Sequence, residues 1–136
     1  MNKLLLLCLV SAVCFAQLAQ LSLDLDKNRE LCDKKNNAEA CFLAGYLYIS
    51  QDEPDYEKAM EYTIKSCDGK IANGCLSAGG AYFMGVDVKK DEAKAMQFFK
   101  KGCDLKDTLS CEIYKSNGKI LENILNDFGD EYEDDE

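Results

Sequence analysis

Residues 58–82 read KAMEYTIKSCDGKIANGCLSAGGAY, and residues 94–115 read KAMQFFKKGCDLKDTLSCEIYK. Both stretches carry a Lys-Ala-Met block, a cysteine nine residues after its lysine, and a second cysteine eight residues further on. Working outward, six cysteines follow one scheme: Cys32 with Cys41, Cys67 with Cys75, and Cys103 with Cys111. Cys32 to Cys67 is 35 residues and Cys67 to Cys103 is 36. A period near 35 with a fixed pair in every unit is the mark of a stacked array of helical hairpins.

Each unit contains two helix patterns. Leu43, Leu47 and Tyr48 recur at helical spacing after the second cysteine, and Leu76, Ala81 and Tyr82 repeat the pattern one unit on. Ala59, Met60 and Ile64, with their counterparts Ala95, Met96 and Phe99, form the second stripe. The patterns place helices near 24–34, 38–50, 54–67, 71–84, 90–103, 108–117 and 119–128. Pro54 suits a first helical turn, with Asp55 and Glu57 near its positive end. Gly45 and Gly79 fall inside helices at a cost of roughly 1 kcal/mol each, so they mark close backbone approach. The last helix, with Ile120, Leu121, Ile124, Leu125 and Phe128, is expected to cap the open end of the stack. The fold class is therefore all-α, an α/α-hairpin repeat solenoid with one disulfide per repeat.

The chain opens MNKLLLLCLVSAVCFAQLAQ. Lys3, the apolar run Leu4 to Val13 and the small-residue site Cys14-Phe15-Ala16 predict a signal peptide over 1–16, cleaved after Ala16. A second reading acylates Cys14, although Val13 fits that signal poorly. The apolar run is shorter than the roughly 20 residues a membrane span needs. Export implies an oxidising compartment, periplasmic or secreted, where paired cysteines become disulfides. Zinc fits poorly, because the chain has no histidine and the spacings are too long. No metal or other cofactor is expected.

Six cysteines allow 15 connectivities, and the repeat singles out the one in which each bonds its near neighbour. Residues eight apart on one helix lie about 12 Å apart along its axis, whereas a disulfide needs Cα atoms within about 7 Å. The chain must therefore reverse inside each pair. Asp33 to Asn37, Asp68-Gly69-Lys70 with Asn73-Gly74, and Asp104 to Asp107 supply turn-forming residues. Closing a loop of about nine residues is worth roughly 2.5 kcal/mol per bridge in the chain-entropy account.

The net charge of −9 is concentrated at one end: Asp127, Asp130, Glu131, Glu133, Asp134, Asp135 and Glu136 supply seven of the negative charges. The reading divides the chain into the leader, a stapled helical domain over 17–126 of about three units, and an acidic, solvated tail over 127–136. No basic stripe exists to neutralise phosphates, so nucleic acid is not an expected partner. A monomer is expected.

Cys-x2-Ala-Gly/Leu-x2-Tyr, then Lys-Ala-Met-x-Tyr/Phe-x2-Lys-x-Cys, then Asp-x5–6-Cys, resembles the Sel-one-like repeat family, relatives of the tetratricopeptide repeat. The leader and cysteine pairs are similar to its exported branch, the Helicobacter cysteine-rich proteins. The resemblance covers about 24–118 and implies a right-handed superhelix of stapled hairpins. It implies either a scaffold for a peptide, a protein or a cell-wall (peptidoglycan) fragment, or penicillin binding with weak β-lactamase activity.

The residues themselves supply no catalytic motif. Serine β-lactamase chemistry needs Ser-x-x-Lys at a helix start, and only Ser116-Asn117-Gly118-Lys119 matches, across an expected helix break. Cysteine nucleophiles need a free thiolate, and the bridges consume all six. The scaffold reading places Tyr46, Tyr48, Tyr82 and Phe83 on a concave binding face, although the spacing also allows Tyr48 and Tyr82 to be core.

Overall fold

The computed structural model describes residues 23–129, with side chains through residue 127. The expected signal peptide and all but the first few residues of the expected tail lie outside the described residues. Among the described residues seven helices follow in order: α1 Leu25–Lys35, α2 Ala38–Ile49, α3 Tyr56–Asp68, α4 Ala72–Met84, α5 Glu92–Asp104, α6 Thr108–Lys115 and α7 Lys119–Gly129. There is no strand among the described residues.

Short acid or amide side chains set most of the helix starts. Asp24, Asn37, Asp55, Asp91 and Asp107 each accept a hydrogen bond from the backbone N–H three residues on, satisfying a donor that the first turn leaves unpaired. This capping moves α3 relative to the sequence expectation. Asp55 is the cap, the helix begins at Tyr56, and Pro54 lies outside the first turn. Likewise α6 stops at Lys115, because Asn117 and Gly118 take left-handed conformations, with φ of 52° and 82°.

Hairpin α2–α3 and hairpin α4–α5 are the two complete units. In each, the cap residue of the second helix ties back to the first: Asp55 N–H donates to the Tyr48 carbonyl (3.1 Å) and Asp91 N–H to that of Tyr82 (2.8 Å). Between units the chain turns through one left-handed residue at equivalent positions, Asn36, Lys70 and Lys106, with φ of 51°, 72° and 71°. Asn73 and Gly74, expected in the second turn, lie inside α4.

The bridges form between near neighbours, Cys32–Cys41, Cys67–Cys75 and Cys103–Cys111, with Cα separations of 4.8, 4.6 and 4.3 Å. Each joins the last turns of one helix to the first turn of the next. Around them the core is a series of small clusters. Tyr48, Ala59 and Tyr62 pack with the first bridge, and Ala78 and Phe98 with the second. Phe83, Ala95, Phe99 and Ile113 form the third cluster, against which Leu121 of the capping helix packs.

Glycine and alanine let the helices close on one another. A Cβ at Gly45 would meet Thr63 Oγ1 at 2.7 Å, and one at Gly79 would meet the Phe99 ring at 2.7 Å. The seam between units uses a serine opposite a glycine, and the two exchange sides along the stack. Ser66 on α3 faces Gly74 on α4, and one unit later Gly102 on α5 faces Ser110 on α6. Only one side chain fits at this crossing.

Gly102→Ser is expected to cost about 1–3 kcal/mol by overpacking, since its Cβ would collide with Ser110 Oγ. Adding Ser110→Gly, which copies the Ser66–Gly74 arrangement, should recover most of that loss. Urea unfolding of both single variants and the double variant measures the coupling; simple additivity would show that the two positions do not compete for one space.

Candidate functional site

The helices of each hairpin differ sharply in charge. In α3, Glu57, Lys58, Glu61, Lys65 and Asp68 are all charged, whereas α2 carries only Glu39 and α4 carries no charged residue. Nevertheless α2 and α4 are not fully buried. Tyr46 is 59 % exposed and Ile49 49 % exposed on α2, and Met84 is exposed on α4. Ser77 is exposed, and Gly80 and Ala81 are half-buried. Tyr46 and Ile49 are three residues apart, so they share one side of α2.

Between these helices and the start of α3 lies a shallow groove. Ile49, Tyr56, Met60 and Val86 contribute apolar side chains, Ala59, Ser77 and Ala81 small ones, and Asp87 is the one charged residue of the lining. Tyr56 and Val86 are also exposed. The small side chains on α4 leave space that a Leu or Phe would fill, and the larger apolar groups stand around it.

The four residues singled out from sequence separate in the structure. Tyr46 is open to solvent. Tyr48 and Phe83 are buried, and Tyr82 is half-buried. Tyr48 stacks on Tyr62 with ring centroids 5.5 Å apart, and Tyr82 stacks on Phe98 at 5.8 Å. Lys58 Nζ lies 5.6 Å from the Tyr48 ring centroid and Lys94 Nζ lies 4.2 Å from that of Tyr82, within the reach of a cation–π contact.

The sequence reading had nothing to say of a charge ladder that links successive units. Lys65 Nζ pairs with Asp33 at 3.0 Å, and Lys101 Nζ pairs with Asp68 at 2.8 Å one unit later. Lys65 also pairs with Glu61 at 2.8 Å. The Tyr62 hydroxyl donates to Asp33 Oδ2 at 2.7 Å. That hydrogen bond, with the Lys65 ammonium, holds the Asp33 carboxyl below the usual carboxylate range. Hydrogen bonds to Glu61 and Asp33 raise the Lys65 ammonium. The signal was present in the sequence: an aspartate follows the first cysteine of every pair, and a lysine precedes that cysteine by two residues in two units.

Ser116 caps α6. Its hydroxyl donates to the Ile113 carbonyl at 3.1 Å and accepts from Ile120 N–H at 3.4 Å, so the lone Ser-x-x-Lys match sits in a helix junction. Among the described residues no group of three or more acidic, cysteine or histidine side chains is placed to hold a metal ion. No described helix is long and apolar enough to cross a membrane.

Residues 38–70 and 72–107 each match the Sel1 repeat, together more than half of the chain. The chain belongs to the Sel1 repeat family. Among solved structures it is similar to Helicobacter pylori cysteine rich protein B, at 27 % identity and a TM-score of 0.59. That match covers 65 % of this chain and 68 % of the other. It is also similar to cytochrome c oxidase assembly factor 7 of Xenopus tropicalis, 30 % identical over 103 residues. The alignment takes in 68 % of this chain and 45 % of that protein, so the chain spans about half the length of the curated relative it matches.

The Asp33 contact predicts a titration. Asp33 should ionise below the model-peptide value of about 3.9. Its stabilising effect is then present above that value and is lost as the pH falls through the native midpoint. Tyr62→Phe removes the hydroxyl donor and should move the Asp33 midpoint upward, read by carboxyl-carbon NMR. An unmoved midpoint would mean that Lys65 alone sets it.

Proposed function

We propose that the chain is an exported binding scaffold that takes an apolar segment of a peptide or protein partner on the uncharged helix face. The division that accompanies this reading is the one drawn from sequence: a leader removed after Ala16, a stapled body over 17–126, and a solvated acidic tail over 127–136. Sel1 repeats are protein-interaction modules, and the leader and cysteine pairs, which resemble those of an exported branch of the family, support the compartment. Disulfides persist where the surroundings are oxidising, which fits the same reading. The name of the frog relative, an assembly factor, is in keeping with a protein that works by holding another.

One observation carries the proposal. The first helices of the two complete units, α2 and α4, have a single charged residue between them, yet present Tyr46, Ile49, Ser77 and Met84 toward solvent. A monomer gains nothing in solubility from such a patch, and contiguous exposed apolar surface marks an interaction site. Tyr46 suits an anchor because tyrosine gives large contact area at low entropic cost. The groove lined by Ile49 and Val86 suits an apolar side chain, and Asp87 in its lining favours a partner with a neighbouring lysine or arginine.

A displayed peptide library selected on the oxidised protein tests the reading. Selected peptides should carry an apolar anchor beside a basic residue. Tyr46→Ala and Val86→Asp should each weaken binding at least tenfold, about 1.4 kcal/mol, in fluorescence anisotropy. The urea midpoint should stay unchanged, because both side chains are exposed. A fall in stability instead would assign Tyr46 to packing, and unchanged affinity in both variants would remove this face as the site.

A further inference from the structure

We propose that the Cys103–Cys111 bridge is a thiol-exchange site, at which a low-molecular-weight thiol of the glutathione class enters the protein, with Cys103 as the sulfur attacked. The three bridges are equivalent in sequence but not in surroundings. Cys32, Cys41, Cys67 and Cys75 are each 4 % exposed or less. Cys103 and Cys111 are both partly exposed. Exchange proceeds by attack of a thiolate on a disulfide sulfur, so access decides which bridge reacts.

The difference follows from the architecture. Each inner bridge is sheltered by the C-terminal end of the next unit's second helix. Lys65, Asp68 and Gly69 of the α3 end stand beside Cys32 and Cys41. Leu105, after α5, packs against the cluster that holds Cys67 and Cys75. The third bridge would need α7 in that role, but α7 lies elsewhere. Leu121 packs on the Phe83–Phe99 cluster, and Glu122, Leu125 and Asn126 stand beside Phe83, Met84 and Lys90. Among the described residues the last bridge has no covering helix end.

The same seam is the less well satisfied of the two Ser–Gly crossings. Ser66 Oγ donates to the Thr63 carbonyl at 2.7 Å, whereas the fully buried Ser110 Oγ has no hydrogen-bond partner among the described residues. An unsatisfied buried hydroxyl weakens the packing around it. In addition, α6 has only eight residues, against thirteen in α4.

Position on the helices sets the direction of attack. Cys103 sits in the last turn of α5 and Cys111 in the first turn of α6. Negative charge is favoured at a helix N-terminus and disfavoured at a C-terminus, so the better leaving thiolate is Cys111. The incoming thiolate bonds to Cys103 Sγ, the Sγ–Sγ bond breaks, and its electron pair departs on Cys111 Sγ, which takes a proton from water. A second thiolate then attacks the small molecule's sulfur in this mixed disulfide, the bond to Cys103 Sγ breaks, and Cys103 leaves with the electron pair and takes a proton from water. This leaves one small-molecule disulfide and two protein thiols, a two-electron reduction of the bridge.

Oxidised native protein incubated with reduced glutathione, quenched in acid, alkylated and peptide-mapped by mass spectrometry decides the matter, with a urea-unfolded sample as control. The expected result is a glutathione adduct on Cys103 with free Cys111, formed at least tenfold faster than any adduct on the other four cysteines. In urea the three bridges should react at similar rates. Adducts spread evenly over the native protein, or first on an inner bridge, would overturn the proposal. So would a native Cys103 that stays unmodified while the unfolded chain is thiolated throughout. An adduct on Cys111 in place of Cys103 would overturn the assigned direction.

Discussion

The constraint on which the structure depends is the covalent tie between the end of one helix and the start of the next. Two helices joined by a two- or three-residue turn can splay over a wide range of angles. A bridge across that turn fixes the approach, and with Cα atoms 4.3–4.8 Å apart the backbones come close enough that little else fits between them. The small residues follow from this. Gly74 and Gly102 stand beside the bridges, each against a serine of the facing helix. The modest size of the three core clusters follows as well. The bridges add to these clusters by lowering the entropy of the unfolded state.

The placement of charge is a second consequence of repetition. Helices α1, α3 and α5 carry the aspartates and lysines that pair from one unit to the next, Lys65 of α3 with Asp33 of α1 and Lys101 of α5 with Asp68 of α3. These pairs are substantially exposed, and exposed ion pairs contribute little to stability. Their spacing matches the stack, so they serve its register better than its strength. The same lysines lie 4.6 and 5.4 Å from the ring centroids of Tyr62 and Phe98, which places aromatic, cation and carboxylate in one repeated order. Charge gathered on those helices leaves α2 and α4 nearly free of it. The uncharged face is thus part of the repeat pattern, and it offers apolar groups and small side chains.

Much of this was legible in the sequence, for a physical reason. A repeated cysteine pair reports a distance, and eight residues cannot span that distance inside one helix, so the reversals and the connectivity could be read together. Helix ends were less legible. Pro54 is permitted at a helix start, but the Asp55 carboxylate competes for the same turn by accepting from Lys58 N–H, and the cap wins. Asn73 and Gly74 have the composition of a turn, yet Gly74 is inside α4 because only a residue without a side chain fits against Ser66. Composition alone cannot separate a glycine that bends the chain from one that admits a neighbour.

The candidate site was the least legible part. Tyr46, Tyr48, Tyr82 and Phe83 share residue type and neighbourhood, and what separates them is the direction in which each leaves its helix. Tyr48 and Tyr82 point at the second helix of their own hairpins and stack there. Phe83 is fixed by the capping segment, where a Cβ on Gly118 would come within 2.6 Å of its ring. Tyr46 precedes Tyr48 by two residues, about 200° around the helix, and so faces away from that stack. In the second unit its counterpart is Gly80. The repeat therefore offers one large side chain and, one unit on, no side chain at the same position, where a Cβ would meet only the end of Met84 at 3.8 Å. That asymmetry cannot come from stacking, which both units share, and it is what a single-orientation partner would require of two otherwise equivalent helices.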